Sequence, residues 1–313
     1  MVNSDKPLQW KKDTNASVDL YNDWFMNFAP KAFRDSRIEA TKFVEKAFKD
    51  TDFLRDITLI SLRANPSMLP VLRHSTCPPL AVDRLVGLSG VPKGIITSIE
   101  KRQALARNTT PAHLGQIINI IDRLLDRDVF PWIGSPATPD AGDAHRAATV
   151  VADRYCGALT NPIIRNAQEV RQLAYIEAWL TARGYKKLAS AHGFTAQTMP
   201  PGTFSFRMDV PVDQGSLTVK IPVDAVIKPL SAAVTDFPLL VEAKSAGDFA
   251  NVNKRRKEEA QKFTMLKNTY GEDVRLVLFL CGYFDGAYLG YSAQEGLDWV
   301  WEHRVEDFAL MGL

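Results

Sequence analysis

Apolar residues recur at helical spacing through the first third of the chain. Between about Ser17 and Ala106 nearly every stretch reads as helix. Leu20, Trp24, Phe25 and Phe28 share one face, Pro30 interrupts, and a second helix carries Phe33, Ile38, Phe43, Val44, Ala47 and Phe48 inward. The charges between them, among them Arg34, Arg37, Lys42 and Lys46, fit a solvated surface. Thr110-Pro111 opens a further helix, buried along Ile117, Ile118, Ile121, Leu124 and Leu125 and ending near Phe130-Pro131-Trp132. Residues Ile133 to Gly142 are dense in proline, glycine and small side chains, the composition of a linker. We place a domain boundary there, giving a helical domain over 1–140 and a second domain over 141–313.

Beyond the linker, one helix from about Ala144 to Leu159 leads through Asn161-Pro162 into another, Asn166 to Arg183. Its apolar stripe is Val170, Leu173, Ile176 and Leu180, and Gly184 is placed to stop it. From Tyr185 the period changes. Strands are expected at Tyr185 to Ala191, Thr203 to Val212, Leu217 to Ile227 and Leu239 to Ala243. A helix follows from Asn253 to Lys267, with Ala260, Phe263 and Leu266 inward. The unbroken apolar run Val274 to Cys281 fits a strand buried on both faces. Ala293 to Phe308, carrying Trp299 and Trp301, reads as a last helix. This order gives an α/β (α+β) chain: an all-helical domain, then a mixed sheet with helices.

Composition changes this picture little. Of 313 residues, 46% are hydrophobic and 24% charged, which suits a globular protein with a substantial core. The formal net charge is +2, so a polyanionic partner must be argued from local clusters. Cys77, Cys156 and Cys281 are far apart, which indicates neither a disulfide framework nor a zinc site. Without an apolar leader or a membrane-length run, a cytoplasmic location is expected.

The chemistry concentrates in IPVDAVIKPL and FPLLVEAKSAGDF. Side chains alternate along a strand, so Glu242 and Lys244 share one face. If the run ending at Ile227 pairs with the run from Leu239, Asp224 lies beside Glu242. Two carboxylates and an ammonium then converge at one end of a sheet. A plain ion pair of Glu242 with Lys244 would also account for part of this. The trio points further, because hard oxygens of this kind suit Mg²⁺ completed by waters and phosphates. A cation between Asp224 and Glu242 would polarise a scissile phosphate, and Lys244 would orient water or stabilise charge building on the phosphate. An acid from the preceding helix would complete the site: Glu169 is the first choice and Glu177 the second, since both flank the apolar stripe.

Two basic stretches are candidate DNA contacts. Lys254, Arg255, Arg256 and Lys257 open the helix behind the Glu242 strand, where backbone donors favour anions; Glu258 and Glu259 partly neutralise them, as on an ordinary exposed face. Leu80 to Ala106 holds two short helices about Ser89-Gly90, a spacing seen both in helix-turn-helix units and in ordinary helical domains. On the first reading Lys93, Thr97, Ser98 and Lys101 approach the groove. The five histidines are dispersed, and neither a P-loop nor a GxSxG elbow is present, which removes phosphate-loop motors and elbow hydrolases. Gly282 to Tyr291, rich in glycine and aromatics, reads as a turn region.

The residues Asp224, Glu242 and Lys244 in IPVDAVIKP and LLVEAKS resemble the metal-binding motif of the PD-(D/E)xK nuclease superfamily. The longer EAKSAGDFANVNKRRKEEAQK, with LFLCGYFDGAYLGYSAQEGLDWVWEHR and YNDWFMNFAPKAFR, is similar to the XamI-type group of type II restriction endonucleases. The resemblance implies a restriction-endonuclease-like core, Mg²⁺-dependent cutting of double-stranded DNA at a short specific site, and a methyltransferase that protects the host as functional partner. It carries Asp224, Glu242 and Lys244 into the site; the motif's proline, Pro222, stands two residues before Asp224 instead of next to it. Two cuts in a palindromic site lead us to expect a homodimer. Two rivals remain at this point. One is a repair or structure-specific nuclease of the same fold; the other is a helix-turn-helix regulator whose nuclease-like domain is inert.

Overall fold

The computed structural model describes residues 1–189, 193–215, 217–249 and 252–313, with side chains of 252–256 outside the description. In chain order the helices begin with α1 (Pro7–Asp50), α2 (Leu59–Ala64), α3 (Leu69–His74), α4 (Val82–Ser89), α5 (Lys93–Arg102), α6 (Pro111–Leu124) and α7 (Ala141–Ala182). The strands are β1 (Lys186–Lys187), β2 (Thr203–Gln214), β3 (Leu217–Lys228) and β4 (Leu239–Ala246), followed by α8 (Val252–Tyr270), β5 (Leu276–Gly282), α9 (Gly286–Gln294), β6 (Asp298–Trp301) and a 3₁₀ segment, Glu302–Met311. The expected mixed α/β architecture is what the chain forms.

Contacts divide the chain into two compact units, Met1–Phe28 with Arg165–Leu313, and Ala29–Ile164. This differs from the boundary expected at 140/141. Two long helices each contribute to both units, so the composition shift at 133–142 marks a surface turn ahead of α7 and not the division of contacts. α1 and α7 also run through Pro30 and Pro162, where the sequence suggested two helices each. A proline removes one backbone bond and bends a helix, but matching amphipathic faces on both sides can keep it continuous.

In the sheet unit the described strands form a six-stranded sheet in order β1-β2-β3-β4-β5-β6. β2, β3 and β4 pair antiparallel; β1 on β2, and β5 and β6 beyond β4, pair parallel. One face packs on Leu173, Ile176 and Leu180 of α7, through Phe204, Ile227, Val241 and Phe279. The other packs on Phe263 and Leu266 of α8 and Tyr288 and Leu289 of α9, through Leu240, Leu278 and Leu280. β5 is buried along its whole length, as a central parallel strand should be. Trp299 and Trp301 are fully buried on β6, so the last expected helix is instead α9, a strand and a 3₁₀ segment. The expected turn region after Gly282 likewise contains α9, capped by Asp285, which accepts a bond from the Tyr288 N–H at 2.8 Å. The expected strand from Tyr185 shortens to Lys186–Lys187, and its end at 190–191 lies outside the described residues.

In the helical unit, Val44, Leu62, Leu72, Ile96, Ile117 and Val151 belong to one core. Thr110 and His113 form a reciprocal cap at the start of α6.

Candidate active site

The pairing of β3 with β4 builds the site. Ala225 is opposite Val241, so one step further Asp224 stands beside Glu242. Because Glu242 alternates with Leu240, its carboxylate lies on the α8 side of the sheet. The Ala243 N–H donates to Asp224 Oδ2 at 2.8 Å and fixes that carboxyl. Lys244, two residues on, places Nζ 3.1 Å from Glu242 Oε2. The three residues singled out in the sequence therefore converge, on the wall of a cavity of about 490 Å³.

Glu169 lines the same cavity, at its α7 side, and accepts a bond from Arg207 Nε at 2.9 Å. Arg207 has a left-handed φ of 52°, and the register of its neighbours (Phe206 on Ala225, Met208 on Val223) sets it across from Asp224. A non-glycine residue in that region costs about 1–3 kcal/mol, and such strain collects at functional sites. Glu177, the second choice, is not among the lining residues; it pairs with Lys187 at 2.6 Å.

α8 adds two residues that the sequence had hidden in a charge run. Glu259 is buried at 3% exposure, accepts a bond from the Tyr288 hydroxyl at 2.6 Å, and lies 3.5 Å from Lys244 Nζ. Lys262 donates to Glu242 Oε1 and to the Pro222 carbonyl oxygen. Their signal was spacing: 259, 262, 263 and 266 fall on the helix face that also buries Phe263 and Leu266. From α7, Gln172 Nε2 donates to the Phe279 carbonyl oxygen at 3.1 Å and Gln172 Oε1 accepts from Ser245 at 3.0 Å, bracing β4 against β5.

Burial of these charges shifts their protonation. The Asp224 carboxyl is pushed up to about 6, first by burial and then by the facing Glu242, with Lys244 and the Ala243 N–H pulling the other way. Burial works to lower the Lys244 ammonium, but Glu242, Glu259 and Asp224 outweigh it and hold its pKa above the ordinary lysine range. Glu259 is raised by burial against the opposing pull of Lys244 and Tyr288.

Asp224 and Glu242 fit a hard divalent cation. They supply two carboxylates with open space beside them, and their mutual repulsion is what such an ion relieves. Among the described residues no three His, Cys, Asp or Glu side chains gather as a ready cage.

The basic stretches are less concentrated. Lys257 is exposed near the start of α8, while the side chains of Lys254, Arg255 and Arg256 lie outside the described residues. α4 and α5 flank Gly90, which is left-handed at a φ of 69°. Ile95, Ile96 and Ile99 of α5 are buried and leave Lys93 and Lys101 outward. Lys93 pairs with Asp83 at 2.9 Å, and Lys101 borders a concavity shared with Thr97, Ser98, Arg102 and Arg107.

A mixed sheet covered by helices carries two acids and a lysine on the wall of one cavity, a donor set that can serve phosphodiester hydrolysis. The model of the XamI restriction endonuclease family matches residues 52–301. The chain is also 52% identical to the type II restriction enzyme SalI of Streptomyces albus G, over all of both chains. A solved structure, protein VC1899 from Vibrio cholerae, aligns with 80% of this chain and 55% of its own at 12% identity and a TM-score of 0.29. The chain belongs to the XamI restriction endonuclease family. With that membership, the expected activity of a type II, site-specific deoxyribonuclease holds, and the repair-nuclease and regulator readings fall away.

No helix among the described residues is long and apolar enough to cross a membrane.

Proposed function

We propose that the chain hydrolyses both strands of duplex DNA at a short specific sequence, using Mg²⁺ held by Asp224 and Glu242 with Lys244 beside them. The observation that carries this reading is the juxtaposition of those three side chains across β3 and β4, with the Asp224 carboxyl pushed up to about 6 by burial and by Glu242. When bound, Mg²⁺ supplies Lewis acidity at the scissile phosphate. Asp224, fixed by the Ala243 N–H, and Glu242 would hold it. The Lys244 ammonium, kept charged by three acids, orients the attacking water and stabilises the charge that builds on the phosphate oxygens.

Glu169 is our candidate for the helix acid of the site. Its place in the cavity supports it over Glu177, which pairs with Lys187. For DNA backbone contacts we propose Lys257 with its neighbours Lys254, Arg255 and Arg256, and Lys93 and Lys101 on α5. We further propose that the protein works in the cytoplasm as a homodimer, one active site per strand, beside a methyltransferase that protects host DNA.

The test is incubation of unmethylated plasmid or phage DNA with Mg²⁺ and the wild type, Asp224→Ala or Lys244→Ala protein. Discrete bands are expected from the wild type, with cleavage at least about 100-fold slower in each variant. Equal cutting by all three proteins would sink the assignment.

A further inference from the structure

Both oxygens of Glu242 are engaged by ammonium groups, and the two lysines are held differently. Lys244 lies 3.1 Å from Oε2 and is tied a second time by Glu259 at 3.5 Å, an acid itself anchored by Tyr288. Lys262 bonds Oε1, and its second partner is a neutral acceptor, the Pro222 carbonyl oxygen. To leave the site Lys244 would have to give up two acids, Glu242 and the buried Glu259. Removing Lys262 breaks one ion pair and one bond to a carbonyl, and its long stem runs from α8 along the cavity wall. A divalent cation held by Asp224 and Glu242 would need lone pairs on Glu242 and would compete with these ammonium groups for them.

We infer that Lys262 is a displaceable counter-ion of Glu242, which leaves the carboxylate when a divalent cation binds and is then free to pair with a DNA phosphate oxygen. This rests on the proposed function of the same site and adds a coupling to it. Loading of the cation and capture of the DNA backbone share one ammonium group. In the cation-free protein Lys262 and Lys244 together compensate the buried Glu242. The cost is competition, because only the fraction of molecules with Lys262 detached is ready to bind the cation.

The test measures Ca²⁺ binding to the full chain by titration calorimetry without DNA, in the wild type, Lys262→Gln and Lys262→Arg. Lys262→Gln is expected to bind Ca²⁺ about tenfold more tightly, because the competing cation is gone. Lys262→Arg keeps the charge and should bind no more tightly than the wild type. In a second arm, anisotropy of a labelled duplex that the wild type cuts is followed in Ca²⁺ over a range of salt concentrations. Lys262→Gln should lose close to one unit of the salt slope, the signature of one lost phosphate contact.

Unchanged or weaker Ca²⁺ binding by Lys262→Gln, or an unchanged salt slope, would overturn the inference. If Lys262→Gln fails to fold, tighter Ca²⁺ binding by Lys262→Arg would overturn it alone. Failure of the proposed function looks different: there Asp224→Ala still cuts, whatever Lys262 does.

Discussion

Glu100 in the helical unit and Glu242 in the sheet unit are both withdrawn from water, with side-chain exposures of 10% and 5%. Glu100 meets the fork of a single guanidinium, Arg73, at 2.7 and 2.9 Å, the bidentate geometry that suits a carboxylate best. Glu242 meets two separate ammonium groups, from its own strand and from α8, and faces Asp224 on the neighbouring strand. The first arrangement closes on itself and ties α3 to α5. The second brings like charges together beside open space, which stability alone would not favour. A buried acid is thus a poor sign of function until its partners are counted; repulsion left in place is the better sign.

Substitutions should separate the two regions by sign. The largest effect is expected for Glu100→Gln, which leaves the Arg73 guanidinium without its anion. The helical unit should lose about 3–5 kcal/mol in denaturant unfolding, while the cleavage rate per folded molecule is retained. Lost cleavage at full stability would break the contrast.

Acid should also act on the two regions in opposite directions. Burial, then Arg73 and Arg154, pull His74 down to about 4. The unfolded chain binds that proton near 6.5, so the stability held by neutral His74 is complete above about 6.5. It is lost as the pH falls toward 4, by up to about 3 kcal/mol. Asp224 runs the other way, since its folded pKa is raised. Its cost is fully present above about 6 and lifts as the pH falls toward 3.8. Hydrogen exchange resolved by region between pH 6.5 and 4 should show falling protection around α3 and rising protection around β3 in the cation-free protein. Parallel slopes would contradict the assignment of either group.

The smallest effect is expected at an exposed pair such as Lys31–Asp35, joined at 2.6 Å across one helical turn with side-chain exposures of 75% and 60%. Lys31→Met should change the unfolding free energy by only about 0.3–0.5 kcal/mol. A loss of several kcal/mol in a melt would show that surface charge matters more in this unit than its geometry suggests.

Much of this was legible beforehand because period and burial agree. β2 to β5 and α8 lie close to where alternation and apolar runs put them. The Asp224–Glu242 juxtaposition was open to the sequence on the condition that the two runs pair, which β3 and β4 do. Three features escaped. Pro30 and Pro162 look like stops, yet each is one lost hydrogen bond inside a helix of 44 and 42 residues. Trp299 and Trp301 alternate as a strand should, but four residues are too few to fix a period. Glu259 and Lys262 share the spacing of the buried face of α8, but which partners they meet, Lys244, Tyr288 and Glu242, depends on other elements and is not in that spacing.

The central claim, that Asp224 is retained for chemistry at the expense of stability, is tested most directly by Asp224→Asn at pH 8. The amide keeps an acceptor for the Ala243 N–H and removes the charge that burial and Glu242 disfavour. Stability and Mg²⁺-dependent plasmid cleavage are measured on the same preparation. The expected result is a protein more stable than the wild type by about 1–3 kcal/mol that no longer cuts. A variant that cuts at the wild-type rate, or that is less stable than the wild type, would contradict the account.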